Sequence, residues 1–115
     1  MNKIKMLGAT ALLSLSALCS PLALAADKIW IDVRSVEEFQ AGHLDGAVNI
    51  VHTDIAAKIA TVTQDKNAEI QLYCRSGRRS GLAEAELKKL GFTNVHNAGG
   101  YEALKAAAEK SGTSN

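Results

Sequence analysis

The chain has 115 residues, enough for one modest domain and too few for a large barrel or a multi-domain cofactor enzyme. Hydrophobic residues make up 47% and charged residues 22%, with a single proline, which argues against disordered, collagen-like and proline-rich chains. Lys and Arg number 13 against 12 Asp and Glu, so no global charge recruits nucleic acid or an anionic membrane.

Residues 1–25 read as a cleaved export signal. Lys3 and Lys5 form a basic start, Leu7 to Leu18 is mostly apolar, and Pro21 breaks the run. Ala23-Leu24-Ala25 then fits a small-x-small cleavage site. The apolar run, about 12 residues, is short of the ~20 a spanning helix needs, so no stable membrane anchor is expected. Leu18 stands before Cys19 where a lipoprotein signal wants a small residue. The pattern is bacterial, and the expected location is the periplasm. Cleavage leaves residues 26–115 as one domain, with 111–115 a frayed tail. Its only cysteine is Cys74, so no internal disulfide can form. A lone cysteine in an oxidising compartment is either buried and inert or kept for chemistry.

Ile29 to Val33 reads as a buried strand ending near Asp32. Ser35 and Glu38 fit a capping box, so a short helix should run through Phe39 to Ala41 and stop at Gly42. Gly46 to Ile50 reads as a second strand. Thr53 or Asp54 can cap the next helix, whose apolar face is Ile55, Ile59 and Val62. Glu69 to Tyr73 is a third strand that delivers Cys74 at its carboxyl end. Ser80 to Leu90 is a helix with Leu82, Ala83, Leu87 and Leu90 on its apolar side and Gly91 at its end. Phe92 to Val95 reads as a fourth strand, Gly99-Gly100 as a tight turn, and Tyr101 to Lys110 as a final helix. Strands alternating with helices predict an α/β fold: a small, mostly parallel sheet of four to five strands, with helices on both faces. Such sheets carry sites beyond the carboxyl ends of their strands, where Asp32 and Cys74 would share a rim.

The segment Cys74-Arg75-Ser76-Gly77-Arg78-Arg79-Ser80 lies between a strand and a helix. Its backbone N–H groups lack ladder partners and can curl round the sulfur as an anion-holding nest. The following helix adds a positive end, and three arginines add local charge. These features favour thiolate over thiol and make Cys74 a nucleophile near neutral pH. A buried, inert thiol has no use for such a loop.

Three blocks resemble the single-domain rhodanese family, over about residues 29–110. They are Asp32-Val33-Arg34 with Glu37-Glu38-Phe39, then Gly42-His43-Leu44-Asp45-Gly46-Ala47-Val48-Asn49-Ile50. The third is the cysteine loop and its helix, completed by Asn97-Ala98-Gly99-Gly100-Tyr101. The resemblance implies a rhodanese-like fold and a sulfurtransferase that works through a persulfide on Cys74. Thiosulfate would donate the sulfur, sulfite would leave, and cyanide or a small thiol would accept it. Arg75, Ser76, Gly77, Arg78 and Arg79 become the substrate-binding candidates, with Arg79 favoured for a structural role at the loop's end. Asp32, Arg34, His43 and Ser80 become structural supports. The resemblance implies no cofactor, no metal and no nucleic acid, and the working unit is expected to be a monomer.

Related phosphatases and arsenate reductases place an arginine after five residues; here Ser80 stands at that position. His52 and His96 are isolated, and with one thiol they suggest no zinc cluster. A different reading keeps Cys74 but drops turnover: a module that carries persulfide or polysulfide to a protein partner.

Overall fold

Residues 28–110 are described in the structure, a computed structural model; the leader, its cleavage site and the tail 111–115 lie outside them. Four strands, β1 (Ile29–Asp32), β2 (Val48–Asn49), β3 (Ile70–Cys74) and β4 (Val95–Gly100), form one parallel sheet in the order β2-β1-β3-β4. The helices are α1 (Val36–Ala41), α2 (Ile55–Lys58), α3 (Arg78–Lys89) and α4 (Tyr101–Lys110). Asp32 pairs with Tyr73, and Cys74 with Gly100. The ends of three strands therefore meet on one rim.

Alternation along the strands sorts the side chains by face. Ile31, Val33, Ile70, Leu72 and Cys74 enter a buried cluster with Ile55 of α2, Ile59 of the 3-10 turn that follows it, Ala83 and Leu87 of α3, Phe92 and Val95. Each fully buried aliphatic side chain contributes about 1.5–3 kcal/mol over an exposed one. Trp30 and Tyr73 point to the other face, their ring centroids 6.4 Å apart, and Tyr73 stacks on Tyr101 of α4 at 6.0 Å. The capping box at α1 forms as expected: Ser35 Oγ accepts from the Glu38 N–H, and Glu38 Oε1 accepts from the Ser35 N–H. Gly42 follows the helix, its N–H donating to the Phe39 carbonyl.

Several expectations need correction. The fourth strand runs over Val95–Gly100 rather than from Phe92 to Val95. Phe92 instead closes a Schellman motif at the end of α3. Its N–H donates to the Leu87 carbonyl and that of Gly91 to the Lys88 carbonyl, while Phe92 and Leu87 both join the core. A residue anchored that way looks like a buried strand residue in sequence. Gly99-Gly100 is strand rather than turn; the register shifts there, with Leu72 opposite Asn97 and Tyr73 opposite Gly99. Ala98 is the extra residue of the bulge.

Helix α3 begins two residues earlier than Ser80. Ser80 is a buried residue of its first turn, and the core-facing strip is Ser80, Ala83 and Leu87. Leu82 and Leu90 stay 49% and 42% exposed, since one helix on a narrow sheet buries only a strip of its surface. The second strand shrinks to Val48–Asn49, and neither Thr53 nor Asp54 makes a side-chain cap at α2.

Candidate active site

Strand β3 carries Cys74 into the rim, and the chain turns back over the sulfur. The turn depends on Gly77, the residue before α3, whose φ of 97° is a left-handed conformation that side chains penalise. This conformation aims the Gly77 N–H at Cys74 Sγ, 2.9 Å away. Ser80 Oγ lies 3.5 Å from the same sulfur. Gly77 gives α3 no side-chain cap, and the sulfur occupies that capping role for the free N–H groups. Burial pushes the Cys74 thiol up, but hydrogen bonds from the Ser80 side chain and from the Ser80, Gly77 and Ser76 backbone outweigh it, and the net shift is downward. Cys74 is fully buried, while Arg75 and Ser76 beside it are exposed.

The three arginines divide. Arg79 forms a two-point ion pair with Glu38 of α1, at 2.9 and 3.1 Å. The pair draws the Glu38 carboxyl from an ordinary 4.5 down to about 2. Arg79 thus ties the loop's end to α1, and its guanidinium is engaged by Glu38. Arg75 and Arg78 are exposed and make no ion pair among the described residues. A cleft of 380 Å³ adjoins the loop at Arg75, lined also by Arg34, Glu38, Gly42, Tyr101 and Lys105.

Asp32 and Arg34 do not touch the sulfur. They form a buried pair, with Arg34 Nη2 2.7 Å from Asp32 Oδ2 and Nε within 3.1 Å of both oxygens. The hydrogen bond to Asp32 holds the Arg34 guanidinium above its ordinary value. Arg34 also donates to the Gly42 carbonyl at 2.7 Å and lies 4.4 Å from the Tyr101 ring centroid. One guanidinium therefore joins β1, the end of α1 and the start of α4. Tyr73, its phenol pushed up by burial, accepts from the Leu44 N–H at 3.0 Å. His43 stacks on Phe39 at 3.6 Å, and its Nδ1 lies 2.8 Å from the Phe39 carbonyl oxygen, a local contact. Among the described residues no group of three His, Cys, Asp or Glu is placed to hold a metal.

Sequence reasoning gave no role to Asn97, and read Glu38 only as a helix-start residue. Asn97 Nδ2 donates to the Gly77 carbonyl at 2.8 Å, and its Oδ1 accepts from Ser80 at 2.6 Å. The available signal was an asparagine inside a strand, where that residue is depleted. Glycine at position 100 has a steric reason: a Cβ there would stand 2.5 Å from the Arg75 carbonyl oxygen.

A family model described as Rhodanese-like domain matches residues 20–107. Thiosulfate sulfurtransferase PspE of Escherichia coli is 44% identical over 86 residues, covering 75% of this chain and 83% of that one. A solved structure described as a rhodanese with anions from E. coli superposes with a TM-score of 0.64 at 43% identity, covering 66% of this chain and 89% of that one. The human single-domain sulfurtransferase TSTD1 superposes at 0.60 with 25% identity, covering 69% and 81%. The order of the elements, the rim they share and the match along most of the chain agree, and the chain belongs to the rhodanese-like domain family.

Proposed function

We propose that this sulfurtransferase moves the outer sulfur of thiosulfate to cyanide or a small thiol through a persulfide on Cys74. The observation that carries the reading is the Gly77 N–H held 2.9 Å from Cys74 Sγ at the start of α3, because it stabilises negative charge on that sulfur before and after transfer. The Cys74 thiolate attacks the outer sulfur and breaks the S–S bond of thiosulfate. Sulfite leaves with the bonding pair, and the persulfide keeps one negative charge. Cyanide then attacks the outer persulfide sulfur, thiocyanate leaves, and the thiolate returns. Atoms and charge balance in both halves without an added oxidant or reductant.

Arg75, with Ser76 beside it, meets the sulfonate end of the donor at the cleft mouth, and Arg78 adds charge. A related E. coli structure is described as a rhodanese with anions, which fits an anionic donor for this domain. The protein works as a monomer after export to the periplasm. No helix among the described residues is long and apolar enough to cross a membrane.

Steady-state thiocyanate formation tests the scheme. Varying thiosulfate at several cyanide concentrations should give the parallel double-reciprocal lines of a ping-pong reaction, and Cys74→Ser should fall to background. Arg75→Gln should raise KM for thiosulfate about tenfold, the loss of ~1.4 kcal/mol of binding. Intersecting lines, or turnover by Cys74→Ser, would contradict the mechanism. Persulfide formation without turnover would favour the carrier reading.

A further inference from the structure

Asn97 sits just before the bulge of β4, and its amide orientation follows from partners that can each play only one role. The Gly99 backbone N–H can only donate, and it lies 3.0 Å from Oδ1. The Gly77 carbonyl can only accept, and it lies 2.8 Å from Nδ2. The amide oxygen therefore faces Ser80 Oγ at 2.6 Å, and it has no hydrogen to give. Ser80 must supply the proton of that bond, and it has only one. The Gly77 carbonyl, 3.1 Å from Ser80 Oγ, already accepts from Asn97 and from the Gly81 N–H at 3.0 Å. Cys74 Sγ, 3.5 Å away, is left facing a lone pair of the serine.

That arrangement suits a protonated thiol, which can donate to Ser80 Oγ. It does not suit a thiolate, which needs a donor. When the thiol gives its proton to solvent, the Ser80 hydroxyl must rotate from Asn97 to the sulfur to help hold the charge. Ser80 is fully buried, so no water substitutes for it freely.

We propose that Asn97 is a positioning residue for Cys74: by holding the Ser80 hydroxyl proton it keeps that donor off the sulfur until the sulfur becomes negative, and so sets how readily the nucleophile forms. The proposal deepens the reading of Cys74 as the sulfur-transferring nucleophile and rests on it for its purpose. The charged and titratable groups round the loop are Arg79 with Glu38 of α1, Asp32 with Arg34 at β1, Arg75, Arg78, Tyr73 of β3, and Tyr101, Glu102 and Lys105 of α4. All are unchanged between the variants below; Asn97→Asp alone adds a charge, and the Ser80→Ala background separates that charge from the hydroxyl.

The test is the pH dependence of Cys74 alkylation by iodoacetamide, in the Ser80 protein and in Ser80→Ala. Asn97→Leu frees the hydroxyl and should lower the midpoint by about half a pH unit to one unit. Asn97→Asp binds the hydroxyl more tightly and should raise it. In Ser80→Ala the effect of Asn97→Leu should vanish, and that of Asn97→Asp should shrink to the share its charge gives alone. Midpoints raised by both substitutions, or shifts that persist undiminished in Ser80→Ala, would overturn the proposal and leave Asn97 a clamp on the Gly77 carbonyl. If Asn97→Leu does not fold, Asn97→Ala removes the same acceptor with less bulk and is judged by the same criterion. Alkylation needs no sulfur donor. The expected midpoints in a protein that fails to turn over thiosulfate would sink the sulfurtransfer reading and leave the role of Asn97 standing.

Discussion

At Cys74 two opposed effects meet, and their balance decides the chemistry. Removal from water favours the neutral thiol, while converging N–H groups and the Ser80 hydroxyl favour the anion. The hydrogen bonds win, so alkylation of Cys74 should reach half its limiting rate at a lower pH than that of an unstructured cysteine peptide measured alongside. A midpoint above that of the peptide would show that burial dominates. Glu38 gives a second check. Its folded value of about 2 lies below the ordinary 4.5, so its pairing with Arg79 stabilises the fold above pH 4.5. That contribution fades as pH falls from 4.5 through 2. The stability difference between the parent and Glu38→Gln, read from urea unfolding, should therefore be largest near neutral pH and close toward pH 2. A difference independent of pH would exclude the ion pair as its source.

Among the elements, β4 governs the loop through contacts of its backbone and of Asn97. A methyl at position 100 collides with the Arg75 carbonyl, which is backbone and cannot swing aside. Gly100→Ala should therefore cost about 1–3 kcal/mol and reduce sulfur transfer at least tenfold. Thermal melts and thiocyanate assays would measure both, and an active, unshifted Gly100→Ala would mean the loop yields easily. Helix α3 offers a contrast along one surface. Leu87→Ala should cost about 2–5 kcal/mol, whereas Leu82→Ala, half exposed, should stay within about 1 kcal/mol.

Those same elements mark what the sequence made legible. The capping box, the apolar strands and the glycine-bearing cysteine loop follow from local rules, and they located α1, the central strands and Cys74. Phe92 and Leu82 misled because burial depends on what a helix end or flank meets across the fold, and composition alone is silent on that. Asn97 and the Glu38–Arg79 pair escaped for a related reason. Their partners lie 17 to 41 residues away in the chain, beyond the reach of any local pattern.

For the molecule as a whole, a near-balanced charge leaves any positive field to local groups: Arg75 and Lys105 line the cleft at the rim, and Arg78 lies exposed on the neighbouring turn. A single core on one sheet face supports that rim, and Asp32, Arg34 and Tyr101 brace it from the other side. Fold and chemistry share one axis: the carboxyl ends of β1, β3 and β4 bring together a sulfur, its donors and the bracing guanidinium. The most direct measurement is the intact mass of the protein without reductant, taken alone, after thiosulfate, and again after cyanide. The expected result is a gain of one sulfur atom on Cys74 with thiosulfate, its loss with cyanide, and thiocyanate in equal amount. An unchanged mass with Cys74 still freely alkylated would contradict sulfur transfer from thiosulfate through Cys74.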